Sequence, residues 1–201
     1  MTVTTLDPTV ALVAIDLQKG IAVDPRAHPV APVVANVVAL LDAFRARELP
    51  VVLVNVTGGT GVRTDRSAAQ AAAASSSAAG PSGPRTFPAD FAELIPELDA
   101  HASDILITKQ TVGAFTGTDL EARLRERGVT QLVVVGIATS AGVESTVRAA
   151  ADLGFHVSVA TDACTDTSIA GHEASVSAGL PRFAETGTTA EVLTLLPALA
   201  R

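Results

Sequence analysis

Five runs of strand length, at 10–16, 51–56, 104–109, 131–137 and 156–161, carry apolar residues with little polar alternation. A strand with one face in water alternates; a strand apolar on both faces must be covered on both. The first run, Val10-Ala11-Leu12-Val13-Ala14-Ile15, is the most apolar opening stretch, and it closes on a carboxylate, Asp16. Between most runs lie segments of helical period. Residues 33–48 place Val34, Val37, Val38, Leu41 and Phe44 on one stripe. Residues 118–127 start at Thr118 as N-cap, turn Leu120 and Leu124 inward and stop at Gly128. Two more helices are expected at 140–153, ended by Gly154, and at 188–199. Strand alternating with helix predicts a parallel sheet covered on both sides, a three-layer α/β/α sandwich.

The length of 201 residues fits a single domain, 1–201. Residues 57–88 break the rhythm with Gly58-Gly59, an Ala/Ser run from Ala68 to Ala79, and Gly80-Pro81-Ser82-Gly83-Pro84. They are expected to form an insertion, either a functional lid or a disordered linker, because they hold almost no large apolar residues. Hydrophobic residues make up 48% of the chain but aromatics only 3%, which suits close helix-on-sheet packing. A net charge of −7 argues against nucleic acid as a partner. No stretch approaches the ~18 apolar residues of a membrane span, and no signal peptide opens the chain, so a cytoplasmic protein is expected. The single cysteine, Cys164, excludes an internal disulfide and any cysteine-based metal cluster.

Ligands in open α/β sheets bind at the C-terminal ends of the strands. Two charged residues stand there, Asp16 and, after Ile105-Leu106-Ile107-Thr108, Lys109. Each alone reads equally as a surface or capping residue; together they read as a coupled pair in one pocket. Lysine favours the charged carboxylate and burial the neutral one, so the sequence leaves the protonation of Asp16 open. The stretch Val133-Val134-Val135-Gly136-Ile137-Ala138-Thr139-Ser140-Ala141-Gly142 is a strand, a small-residue turn and a helix start. Backbone N–H groups there can hold a carboxylate or a developing oxyanion. An ordinary turn with Thr139 as N-cap accounts for the same residues.

Three blocks in this order, Ala14-Ile15-Asp16-Leu17-Gln18, Lys109 to Leu120 and Gly136 to Val143, resemble the isochorismatase-like hydrolases. That superfamily includes nicotinamidases, N-carbamoylsarcosine amidases and isochorismatases. Ala160-Thr161-Asp162-Ala163 and His172-Glu173 add to the likeness, which spans roughly 10–195. The resemblance implies a Rossmann-like, six-stranded, mostly parallel sheet and an Asp–Lys–Cys triad. Asp16 and Lys109 fall on the first two positions; the third, the nucleophile's, falls on Gly142. Cys164, placed after the following strand in the turn Asp162 to Asp166, does not readily replace it. The family also implies an unusual cis peptide at Ile137–Ala138 and backbone donors around Ala138, Thr139 and Ser140.

Isochorismatases likewise carry a non-cysteine residue at the third position and cleave a vinyl ether, with the aspartate protonating the enol-ether carbon. By that likeness, Asp16 is the expected general acid and Lys109 its electrostatic support. Ser140 stands where those enzymes usually carry histidine. Asn55 is the candidate polar substrate contact, against the alternative that it bonds its own loop, and Phe115 joins the expected substrate-binding residues. Arg63 and Arg85 are further candidates for an anionic substrate. Asp24 and His28 lack the family's Asp-x-His metal spacing, and His101, His156 and His172 are scattered, so no metal and no cofactor are expected. A small molecule is the expected partner, and the family implies a homodimer or homotetramer. The alternatives are a binding protein that kept the pocket without chemistry, and an amidase using activated water or Ser140.

Overall fold

The structure, a computed structural model, describes residues 2–58 and 87–198. Most of the 57–88 segment, with Arg63 and Arg85, lies outside the described residues. Six strands form one sheet: β1 (Val10–Ile15), β2 (Val51–Val56), β3 (Ile105–Lys109), β4 (Gln131–Ile137), β5 (His156–Thr165) and β6 (Glu185–Gly187). Their spatial order is β3-β2-β1-β4-β5-β6, and every pairing is parallel. The order reverses between β1 and β4, so a crevice opens at the C-terminal ends of those two strands. Every residue of β1 and β4 is buried, as continuous apolar sequence requires of strands covered on both faces.

Five helices connect and flank the strands: α1 (Val30–Arg45), α2 (Leu120–Glu126), α3 (Glu144–Asp152), α4 (Ile169–Ala174) and α5 (Thr189–Leu195). Right-handed crossovers put α1, between β1 and β2, on one face and α2 and α3 on the other, because the two halves of the sheet are wound in opposite directions. α5 returns to pack on α1. α1 starts at Val30, three residues before the expected boundary. Pro29 is its N-cap and Pro32 sits in the first turn, where a missing N–H costs nothing. Asp24 Oδ1 accepts from Val30 N at 3.1 Å and satisfies one of the orphan donors there. The buried stripe of α1 includes Leu40 rather than Val38, and Phe44 is wholly enclosed, worth on the order of 1.5–3 kcal/mol.

Three elements differ from expectation. α4 and β6 had no strong apolar period to mark them, and both are short. β5 runs on to Thr165 instead of ending near 161, so Cys164 lies within a strand and not in a turn. The extension passes through a wide bulge: Val134 pairs with Val159 and Gly136 with Cys164, so Val135 faces the stretch Ala160–Ala163. The bulged residue Asp162 accepts from Thr189 N at 2.7 Å, and its carbonyl accepts from Asn36 Nδ2 at 2.8 Å. These bonds tie α5 and α1 to β5. Across the bulge, Gly136 has φ +121°, and a Cβ there would lie 2.1 Å from the Ile15 carbonyl oxygen. Only glycine lets β4 approach the end of β1 this closely.

Candidate active site

Asp16 follows β1 with φ 54°, a left-handed conformation unusual outside glycine. The turn places its buried carboxylate at the crevice. Lys109, at the end of β3, reaches past the end of β2, and its Nζ donates to Asp16 Oδ2 at 2.8 Å. The same ammonium donates to the carbonyls of Thr111 at 3.2 Å and Val112 at 2.8 Å. All three of its protons are therefore engaged. Asp16 Oδ1 is buried with no hydrogen-bond partner among the described residues. Burial raises the Asp16 pKa above the ordinary carboxylate value, against the opposing charge and hydrogen bond of Lys109.

Asp16 and Lys109 line a cavity of about 590 Å³ with Ile137, Ala138, Ala141 and Gly142 on one wall and Thr111 and Val112 on another. Gly142 stands directly over the acid. A Cβ at this position would lie 3.1 Å from Asp16 Oδ2 and 2.9 Å from Ile15 Cγ2. Any side chain there would press on the carboxylate, and even a small one requires a shift of a few tenths of an ångström.

The helix start after β4 is a single π-helical turn, Thr139–Val143, leading into α3. The Ile137–Ala138 peptide preceding it is cis. Not all of its N–H groups are free. Ser140 N donates to Asp166 Oδ2 at 2.6 Å, while Ala141 N and Val143 N both bond the Ala138 carbonyl. Ala138 N has no partner among the described residues. The expectation that Ser140 supplies a free oxyanion donor is thus corrected: a carboxylate already occupies that N–H. The Ser140 side chain is exposed and turns toward Asp166 and Gly171, away from the cavity lining.

Thr139 is fully buried behind the cavity wall, and its Oγ1 lies 3.0 Å from the Thr165 carbonyl and 2.9 Å from His172 Nδ1. A carbonyl only accepts and a hydroxyl has one proton, so Thr139 donates to Thr165 and accepts from His172, whose Nδ1 carries the proton. Burial, and then the nearby His28, holds the His172 pKa below its ordinary value. Thr139 and His172 fasten the turn to β5 and α4.

The remaining expected contacts lie elsewhere. Asn55 Nδ2 donates to the Ala92 carbonyl at 2.7 Å, and its neighbour Val56, not Asn55, lines the cavity. Phe115 stacks on Phe155 with ring centroids 6.0 Å apart and likewise stays out of the cavity lining. Both corrections have one cause: each side chain has a protein partner that competes for it. Cys164 is fully buried in β5, where burial pushes its thiol up to about 12, and it does not line the cavity. Among the described residues no group of three His, Cys, Asp or Glu side chains could hold a metal ion, and no helix is long and apolar enough to cross a membrane. Sequence reasoning missed Arg26, which lines the cavity from the loop after β1. Its signal was only a basic residue flanked by Pro25 and Pro29, with no period to place it.

A parallel sheet in this order, with an acid–ammonium pair at its switch point, defines a Rossmann-like α/β protein with a candidate active site. The chain belongs to the isochorismatase family of hydrolases: residues 10–191 match the isochorismatase domain. It is 39% identical over 183 residues to the isochorismatase family protein YwoC of Bacillus subtilis, covering 91% of this chain and 92% of that one. It is 40% identical over 189 residues to the isochorismatase family protein YecD of Escherichia coli O157:H7, covering 94% and 96%. The solved structure of an isochorismatase family protein from Burkholderia thailandensis matches with a TM-score of 0.83 at 38% identity, over 96% of this chain and 97% of that one.

Proposed function

We propose that the chain hydrolyses a small carboxylated vinyl ether, isochorismate or a relative, without a cysteine nucleophile and with Asp16 as general acid. The observation that carries this reading is the state of the Asp16 carboxyl: buried, with one oxygen that no donor reaches, and a pKa raised by burial. Such a group holds a proton to higher pH than an ordinary aspartate and can deliver it. Gly142 supports the reading as well, because any side chain there would press on Asp16 Oδ2.

In the proposed reaction, Asp16 gives its proton to the terminal carbon of the enol ether. The double bond's electron pair forms the new C–H bond, leaving an oxocarbenium ion stabilised by the ether oxygen. Water adds to the cationic carbon that bears the ether oxygen and returns a proton to Asp16. The hemiketal then collapses to an alcohol and a 2-keto acid. Lys109 stabilises the aspartate anion while the proton is away, through the 2.8 Å contact. Incubation of the purified protein with isochorismate should release pyruvate, measured by a coupled reduction assay. Binding of isochorismate and related enol ethers without any release would instead make this a non-catalytic pocket.

A further inference from the structure

We infer that Arg26 anchors a substrate carboxylate in the Asp16 cavity, so that the site selects small anions carrying an apolar body. The inference rests on that cavity being the substrate site. Its lining is mostly apolar, with Ile21, Val56, Val112, Ile137 and Ala141 among the walls. Of its charged side chains, Lys109 is turned onto Asp16 at 2.8 Å and onto two backbone carbonyls. Arg26 makes no ion pair among the described residues, so its positive charge lines the cavity without a counter-charge of its own. Lys109 cannot serve the same purpose while its three protons go to Asp16, Thr111 and Val112.

The guanidinium is held with one edge occupied and another open. Arg26 Nε donates to the Val23 carbonyl at 3.0 Å, and Nη2 donates to the Ile21 carbonyl. Those two donors share one side of the planar group. The opposite edge, made by Nη1 and the second proton of Nη2, has no partner among the described residues and has the spacing of a carboxylate. The loop is pinned as well. Ala27 N donates to the Asp166 carbonyl at 2.8 Å, and His28 N donates to Thr165 Oγ1 at 2.9 Å. The fork is therefore set before a ligand arrives, which lowers the ordering cost of binding. The partnerless Oδ1 of Asp16, a residue that lines the same cavity, is the independent sign that this pocket is built for a ligand rather than for packing.

The test compares two probes of nearly equal shape, 2-methoxyacrylate and its uncharged amide 2-methoxyacrylamide, by isothermal titration of the wild type, Arg26→Gln and Arg26→Lys. The wild type should prefer the acid. Arg26→Gln should weaken acid binding roughly tenfold to a hundredfold, as loss of a charge-assisted pair of hydrogen bonds does, with amide binding unchanged. Arg26→Lys should fall between, because it keeps the charge and loses the fork. Equal acid affinity in wild type and Arg26→Gln, equal weakening of both probes, or no preference of the wild type for the acid would each overturn the inference. If Arg26→Gln does not fold, Arg26→Lys decides by the same comparison. Keto-acid release is followed in the same samples. Acid held by Arg26 but never cleaved sinks the vinyl-ether reading and leaves the anchor standing. Cleavage with a KM indifferent to Arg26 does the reverse.

Discussion

Two aspartates stand at the same edge of the sheet, both almost wholly buried, Asp16 5% and Asp166 2% exposed. Their proton affinities move in opposite directions. Asp16 has a lysine on one oxygen and nothing on the other, and burial raises its pKa. Burial pushes Asp166 up too, but Ser140 N reaches one oxygen while Thr167 N and Oγ1 reach the other. Those donors outweigh burial and hold Asp166 below the usual carboxylate range. What sets Asp166 apart is that neutral hydrogen-bond donors reach both of its oxygens and together outweigh its burial, whereas Asp16 has a donor on one oxygen only.

The contrast breaks first on rate. Asp16→Asn should lower pyruvate release from isochorismate by about 10²–10⁴-fold, the usual worth of a general acid, with ligand binding retained. Asp166→Asn should leave the rate of the folded enzyme nearly intact and lower its thermal midpoint. Comparable rate losses in both variants would end the distinction. Next in size is Lys109→Met, which strands the Asp16 carboxylate without a counter-ion. It should cost about 3–5 kcal/mol in urea denaturation and move the pH limb of activity further up. An unchanged unfolding midpoint would show that the pair is neither as buried nor as coupled as its geometry states.

The smallest effects are those of pH on the wild type, and they fall on opposite sides. The neutral, donating form of Asp16 predominates below its raised pKa, so kcat/KM for an enol ether should fall as pH rises through it. The folded pKa of Asp166 lies below its unfolded value near 3.8. Its contribution to stability is present above 3.8 and is lost as pH falls through the depressed value. A rate that instead rises with pH from the same limb would assign Asp16 as a base.

The strands that position the site were plain from composition. Apolar runs marked β1, β3 and β4, and a terminal Asp or Lys on the first two placed Asp16 and Lys109, whereas Gly142 was singled out only by the family resemblance. Residues with partners of their own were not legible. Ser140, Asn55 and Phe115 each carry a side chain or backbone group suited to a ligand. Asp166, Ala92 and Phe155, distant in sequence, claim them. The extension of β5 was hidden because a bulge interrupts its period, and Arg26 because loop hydrogen bonds, not periodicity, aim it. Local pattern reports which face a residue is on. It does not report which neighbour takes its hydrogen bonds.

The ammonium of Lys109 also has a mechanical consequence. It ties Asp16 to the Thr111 and Val112 carbonyls, and those two residues are themselves part of the cavity wall. A ligand that pushes this wall outward lengthens the tether and draws the positive charge from the carboxylate, making the acid hold its proton more firmly. A ligand that lets the wall close brings the charge back and loosens the proton. Position of the wall and proton affinity of Asp16 are thus linked through one side chain.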